Sequence, residues 1–225
     1  MARSKKFDTC PGRGATKTPA HDASVCHHAA NAPKKRGSYK KASGQGPRWA
    51  GLMGIRNYLI EGVSGAGKTA VCIELQRRGY QAIHGDRELV YRGDPETGLP
   101  TAPETGTPTA TWMSEHQIWD VEKVQAFVAN QEEAATFFCG SSRNFAKFID
   151  LFDGVFVLEI DLDTMNRRID ERVALDPTDF GGKPDERELI ARLYATKEDV
   201  PKGGVVIDAT APIERVVDEI LEKAA

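Results

Sequence analysis

Residues 57–80, NYLIEGVSGAGKTAVCIELQRRGY, constrain the fold more than any other stretch of the chain. Within them, Gly62-Val63-Ser64-Gly65-Ala66-Gly67-Lys68-Thr69 fits the pattern G-x-x-x-x-G-K-[ST]. In that pattern backbone amides cradle phosphates, the ammonium of Lys68 reaches the β- and γ-oxygens, and the hydroxyl of Thr69 is offered to Mg2+. A backbone wrapped this closely around a polyphosphate leaves no room for a Cβ at several positions, hence the glycines. The helix that follows adds its free N–H groups and the positive end of its dipole. The flanks agree with this reading. The apolar run Tyr58-Leu59-Ile60 precedes the loop, and an amphipathic segment with Val71, Ile73 and Leu75 follows it as far as Gly79, giving the order strand, loop, helix.

The length of 225 residues suits one domain of ordinary size, and a net charge of −3 conceals an asymmetry. Residues 1–52 carry eleven Lys/Arg against two Asp, a net +9, while residues 53–225 carry nineteen against thirty-one acids, a net −12. An acidic domain argues against a nucleic-acid-binding face, so contact with RNA would have to come from the basic arm. That arm is rich in Lys, Ala, Gly, Ser, Pro and Thr, with no aliphatic side chain larger than valine before Leu52, and too little to bury against its ordering entropy. It is expected to be a disordered extension, with Met53 as the natural start of a domain spanning 53–225. Cys10, Cys26, Cys72 and Cys139 form no paired framework and read as reduced thiols of a cytoplasmic protein. No apolar run is long enough to span a membrane, and the basic N-terminus lacks the apolar core of a secretory signal.

Beyond the loop, Tyr80–His84 reads as a second strand ending at Gly85-Asp86. In an open α/β sheet the carboxyl ends of the strands face the ligand, which makes Asp86 a candidate for chemistry, with helix capping as its structural alternative. Residues 93–111 are a long polar segment with Pro-Glu-Thr-Gly twice, read as a mobile flap over an acceptor. Ser114-x-x-Gln117 predicts a capping box for a helix running to about Asn130, with Ile118, Val121, Val124 and Val128 inward. Trp112 and His116 lie where they could face the acceptor. Ala135–Cys139 is a third strand, apolar enough to be buried on both faces, and the polar cluster Gly140–Asn144 opens another helix. Gly154–Ile160 is the fourth strand, followed by a helix bearing Arg167, Arg168 and Arg172, and by 174–184, a Pro/Gly-rich short lid. A helix from Asp185, a fifth strand at Gly204–Asp208 and a final helix after Pro212 complete the alternation. It demands a parallel sheet with helices on both faces.

With these elements in order, the chain resembles the adenylate-kinase-like small P-loop kinases, a group that includes nucleoside monophosphate, shikimate and gluconate kinases and chloramphenicol phosphotransferase. The resemblance covers about residues 55–223 and rests on four features: the phosphate loop; Gly85-Asp86; the spacing of Arg167, Arg168 and Arg172 beside the lid; and Val206-Ile-Asp-Ala-Thr-Ala-Pro212. It implies a P-loop NTPase fold with a five-stranded parallel sheet ordered 2-3-1-4-5, and adenine lying against Asp208-Ala209-Thr210. One departure is clear. The third strand ends Cys139-Gly140-Ser141-Ser142-Arg143, without the acid that tethers Mg2+ in adenylate kinases.

The activity implied is transfer of the γ-phosphate of ATP, with Mg2+, to a small-molecule acceptor, foremost a nucleoside or nucleotide and otherwise another small alcohol. Residues 62–69 would bind the phosphates, and Ala209 the adenine. Lys68 would neutralise charge, Thr69 and Asp86 hold the metal, Asp86 take the acceptor proton, and Arg143, Arg168 and Arg172 meet the developing charge. A monomer or homodimer is expected. The alternative is a catalytically silent nucleotide-binding protein whose basic tail meets RNA or protein partners.

Overall fold

The computed structural model describes residues 55–130 and 132–225. The basic extension, Cys10, Cys26 and Met53 lie outside the described residues. Along the chain the elements are β1 (Arg56–Gly62), α1 (Lys68–Arg77), β2 (Gln81–His84), β3 (Val90–Arg92), α2 (Ala110–Glu115), β4 (Gln117–Trp119), α3 (Val121–Val128), β5 (Ala135–Cys139), β6 (Gly154–Glu159), α4 (Leu162–Leu175), α5 (Pro184–Thr196), β7 (Val205–Asp208) and α6 (Ile213–Ala224).

β1 is buried over all but its first residue and takes the centre of a parallel sheet, paired with β5 on one side and β6 on the other. β2 adds beyond β5 and β7 beyond β6, so the spatial order is β2-β5-β1-β6-β7. This numbering differs from the expected 2-3-1-4-5. Two short strands unforeseen in the sequence, β3 and β4, intervene and pair antiparallel as a separate ribbon. Every residue of β5 is buried, as its apolar content demands of a strand covered on both faces.

One face of the sheet is closed by α1 and α6. Tyr58, Ile60, Phe137, Phe156 and Leu158 meet Val71 and Leu75 from α1 and Val216, Val217 and Ile220 from α6. Polar bonds lock the two helices together. Glu74, only 6% exposed, accepts from Arg77 and Arg78, and Arg78 reaches across to Asp218 at 2.5 Å and to the Glu214 carbonyl at 2.9 Å. The Tyr58 hydroxyl donates to the Ala224 carbonyl at 2.6 Å, fixing the end of α6. Ile73, expected on the inward stripe of α1, is exposed, because its position turns it away from both the sheet and α6.

The other face packs Leu59, Ile83 and Phe138 against Leu89, Trp119, Val124 and Phe148. The single helix expected from Ser114 to Asn130 does not form. Thr109 caps α2 by accepting from the Trp112 N–H, Asp120 caps α3 by accepting from the Lys123 N–H, and β4 lies between them. Threonine and aspartate carry the short oxygens that close a first turn. The residues between them gain more by pairing with Val90–Arg92 and burying Ile118 and Trp119 together. The helix expected after Ser141 is likewise two short 3-10 turns, Phe145–Lys147 and Ile149–Leu151.

The loop 93–111 is anchored over its first half. Asp94 accepts from the Thr97 N–H at 2.6 Å, Tyr91 donates to the Gly98 carbonyl, Gly93 bridges to Pro100, and Lys147 donates to the Glu96 carbonyl. Among the described residues, 102–108 make no hydrogen bond.

Trp119 is fully buried and stacks on Phe148 at 5.5 Å with 4° between the rings. A Cβ added at Gly85 would stand 2.0 Å from its Cζ2. Gly85→Ala should therefore overpack this joint and cost about 1–3 kcal/mol, read as a lower urea midpoint. A midpoint equal to the parent's would contradict the closeness of this packing.

Candidate active site

The turn from β1 into α1 is built by glycines at positive φ: Gly62 at 152°, Gly65 at 82° and Gly67 at 103°. A Cβ at Gly62 would come within 2.7 Å of the Leu158 carbonyl, so the loop lies directly on β6. Val63 and Ala66 are buried and root the loop in the core, while Ser64 and Gly65 remain accessible. No side chain caps α1 and no acid sits in its first turn, which leaves its leading amides for an anion. Lys68 arches back over the loop and donates to the Gly62 carbonyl and, at 3.2 Å, to that of Val63. Thr69 is exposed in the first turn of α1, so its hydroxyl is available to a metal arriving with the phosphates.

Beside the loop sits a residue that sequence reasoning missed. Glu61, the penultimate residue of β1, is 1% exposed. Its Oε2 accepts from the Ser141 hydroxyl at 2.9 Å and from the Gly62 N–H at 3.2 Å, and its Oε1 has no partner. Burial pushes its carboxyl up to about 8, against the pull of Lys68, Ser141 and the Gly62 amide; the charge of Asp86 adds to the rise. In the sequence Glu61 is one polar letter at the end of an apolar strand, and its only signal is its position directly before the loop.

Asp86 lies in the wide turn Gly85–Leu89 that follows β2. Its carboxylate does not cap that turn. Oδ1 accepts from the Ser141 N–H at 2.9 Å and from Gln117 Nε2 at 3.3 Å. Ser141 thus holds Asp86 through its amide and Glu61 through its hydroxyl, and joins the second-strand acid to the start of the phosphate loop. Glu88, two residues on, is occupied with the His84 N–H at 2.8 Å.

The arginines divide by role. Arg168 donates to the Ala209 carbonyl at 2.8 Å and lies 3.3 Å and 3.4 Å from the Ala66 and Gly65 carbonyls, clasping the phosphate loop to the end of β7. Burial and the neighbouring charge of Arg167 draw its guanidinium below the ordinary value. Arg172 donates to the Phe180 carbonyl and lies 3.6 Å from Asp179, so it is tied to the lid segment. Arg167 only pairs with Glu171 on the surface. Arg143 donates to the carbonyl and hydroxyl of Ser114, bracing α2 rather than the loop. Ala209 is buried and donates its N–H to the Glu159 carbonyl.

On the Asp86 side, Arg92 donates to the Met113 carbonyl at 2.9 Å and approaches Gln117 Oε1 at 3.3 Å. Burial lowers its guanidinium, and Asp86 opposes that. Trp112 and His116 stack 4.3 Å apart, half-buried. Arg92 was not singled out in the sequence and Gln117 was read only as a helix-capping residue, because only the β3–β4 ribbon brings them beside Asp86.

Thr196-Lys197-Glu198-Asp199 matches the Thr-Lys-x-Asp form of a guanine-reading run. It closes a helix rather than following a strand. Lys197 is the left-handed cap of α5 at φ 51°, its N–H bonded to the Leu193 carbonyl and its ammonium 4.2 Å from the Tyr194 ring centre. Thr196 and Lys197 line a cavity of about 220 Å³ with Gly62, Val63 and Val157. Cys72 and Cys139 are buried free thiols, as expected. Among the described residues no helix is long and apolar enough to cross a membrane, and no cluster of three or more His, Cys, Asp or Glu side chains could hold a metal unaided.

A parallel sheet in this order, with a positive-φ glycine loop feeding the bare N-terminus of α1, defines a P-loop fold. No protein-family model matches the chain and no curated protein matches it. Solved structures similar to it include a gluconokinase from Sinorhizobium meliloti 1021, 18% identical over 74% of this chain and 90% of that one, with a TM-score of 0.45. A shikimate kinase from Acinetobacter baumannii is 16% identical over 76% and 93%, with a TM-score of 0.44. A deoxyadenosine kinase from M. mycoides is 17% identical over 75% and 98%, with a TM-score of 0.40. At these values nothing about activity passes from those proteins to this chain.

Lys68→Ala should abolish measurable ATP binding by calorimetry while moving stability by no more than about 0.5 kcal/mol, because the loop lysine packs against no core. Retained ATP affinity would remove Lys68 from the phosphate site. Glu61 generates a pH signature of its own. Its folded value of about 8 lies above the ordinary 4.5, so the folded chain keeps a proton that the unfolded chain releases. That contribution is complete below about pH 4.5 and is lost as pH rises to about 8. Relative to the parent, Glu61→Gln should gain in Tm progressively across that window and level off above it. A Tm difference independent of pH would rule out the buried proton.

Proposed function

We propose that this chain is an ATP-dependent phosphotransferase that moves the γ-phosphate to a hydroxyl of a small-molecule acceptor, with a nucleoside or nucleotide as the favoured acceptor. One observation carries the reading. Ser141 joins Asp86, at 2.9 Å, to Glu61, at 2.9 Å, directly before the phosphate loop, so an acid stands beside the site where Lys68 and the loop amides would hold phosphates.

Phosphoryl transfer asks the protein mainly for positioning and charge neutralisation. The amides of residues 62–69 and the Lys68 ammonium bind the β- and γ-phosphates. Asp86 orients the acceptor hydroxyl and takes its proton as oxygen attacks phosphorus and the bond to the β-phosphate oxygen breaks. Arg168, already on the loop carbonyls, and Arg172, on the lid, supply positive charge where the transferring group passes. Thr69 and Asp86 are the groups that would hold Mg2+, and the orphaned buried oxygen of Glu61 fits a cation nearby. When bound, that ion supplies neutralisation of phosphate charge. The favoured acceptor is suggested by the Gln117 amide bonded to Asp86, the Arg92 guanidinium bonded to Gln117, and the stacked Trp112 and His116 on the adjoining helix α2 and its cap, groups that suit a heterocyclic base. A cytoplasmic setting agrees with two buried free thiols.

The deciding measurement is ATP consumption by the purified chain with nucleosides, nucleoside monophosphates, sugar acids and antibiotics in turn. One acceptor should raise it well above the background rate. ATP bound tightly but consumed no faster with any of them would favour the silent nucleotide binder. With the best acceptor, Asp86→Asn keeps the shape and removes the charge. It should lower kcat roughly 10²-fold with a stability change below about 1 kcal/mol. Near-parental kcat would move the search for the proton acceptor to Asp94 or His116.

A further inference from the structure

β5 ends without an acid, at Cys139-Gly140-Ser141, and the β1–β5 register sets Ile60 opposite Cys139. Glu61 therefore comes level with Gly140, the first residue past the end of β5. Its carboxyl reaches that turn, since the Ser141 hydroxyl donates to Oε2 at 2.9 Å and also lies 3.5 Å from the first carbonyl of the phosphate loop. A carboxyl that is 99% buried with one oxygen orphaned is costly unless something polar completes it. Ser141 and Gly62 take up Oε2 alone. The charges that act on Glu61 are Lys68 and Asp86, the two groups that bracket the place where phosphates and acceptor meet. Mg2+ dehydrates reluctantly and is held at phosphate sites through one or two carboxylates and several retained waters. A buried carboxyl beside the loop, paired through one serine with a second carboxyl, meets that requirement without a cluster of three ligands.

We propose that Glu61 is a metal-positioning residue: from β1 it supplies, through its free Oε1, the carboxylate for the water shell of nucleotide-bound Mg2+ that β5 lacks, with Ser141 coupling it to Asp86. The inference rests on the chain binding ATP at the loop, as in the reading above.

The test measures ATP affinity by calorimetry in EDTA and with Mg2+, and Mn2+ occupancy by electron paramagnetic resonance in the presence of ATP. For Glu61→Gln, the affinity in EDTA should stay within about twofold of the parent, while Mn2+ affinity in the ATP complex falls about 10- to 100-fold. Mn2+ affinity equal to the parent's overturns the proposal, and so does a loss of turnover with metal affinity unchanged, which would make Glu61 a proton-handling group instead. If the parent binds ATP in neither condition, the phosphotransferase reading falls and this proposal falls with it. A parent that binds ATP beside a Glu61→Gln variant with normal Mn2+ affinity sinks this proposal alone. Should Glu61→Gln fail to fold, Ser141→Ala carries the same test by releasing Oε2. A severalfold weaker Mn2+ affinity is expected, and an unchanged one overturns the proposal.

Discussion

One serine keeps two carboxylates beside the phosphate loop, and the rest of the site is arranged to hold that serine where it is. Ser141 follows β5, whose last residue stands beside Ile60 of the central strand, and the Gly140 N–H is bonded to the Ile60 carbonyl. The register of a fully buried strand cannot slip without exposing its apolar side chains, so sheet pairing fixes the serine. Glu61 and Asp86 then inherit their separation from backbone geometry rather than from flexible side chains. Like charges held this close disfavour joint ionisation. Lys68 and the Gly62 amide offset part of that cost, and a cation would offset more.

Glycine makes this arrangement possible twice. At Gly62 the loop lies on β6 closely enough that a Cβ would meet the Leu158 carbonyl. At Gly140, with φ at 157°, a Cβ would stand 2.8 Å from Asp86 Oδ1 and from Trp119 Cζ2. The second contact links chemistry to core. Trp119 fills the space under the turns that carry Asp86 and Ser141, while its own N–H and carbonyl are bound by Ser142 and Asn144 as a strand partner would bind them. The ribbon of β3 and β4 therefore lies beneath the turn that carries Asp86, with Arg92 and Gln117 at its end.

The parallel strands were legible as short apolar runs between glycines, and so was the glycine-rich turn that joins β1 to α1. What escaped has a common physical cause. Ile118, Val121, Val124 and Val128 repeat at helical spacing, and Ser114 with Gln117 imitates a cap, yet β4 wins because pairing with β3 buries Trp119 and Ile118 together. Local pattern carries no record of a partner strand twenty-odd residues away. Glu61 was unreadable for the same reason: burial of a carboxylate is decided by what covers it, and Ser141, 80 residues on, does so. Asp86 was singled out correctly as a residue at a strand end, while its partners, Ser141 and Gln117, were visible only once the sheet was assembled.

The arginines tie α4 to two neighbouring segments. Arg168 bonds to carbonyls on both the phosphate loop and the end of β7, so any shift of α4 acts directly on the loop. Arg172, one helical turn later, is bonded to the Phe180 carbonyl in a segment whose Gly181 packs against Ile169 so closely that a Cβ would stand 2.6 Å from its Cγ2. Glu186 fastens the far end of that segment by accepting from the Gly181 N–H at 2.8 Å. The segment is therefore fastened to both α4 and α5, and α2 adjoins α5, since its first N–H lies 3.4 Å from Asp185. The segment 174–184, α2 and the β3–β4 ribbon are thus linked by hydrogen bonds, since Arg92 donates to the Met113 carbonyl and Arg143 to Ser114.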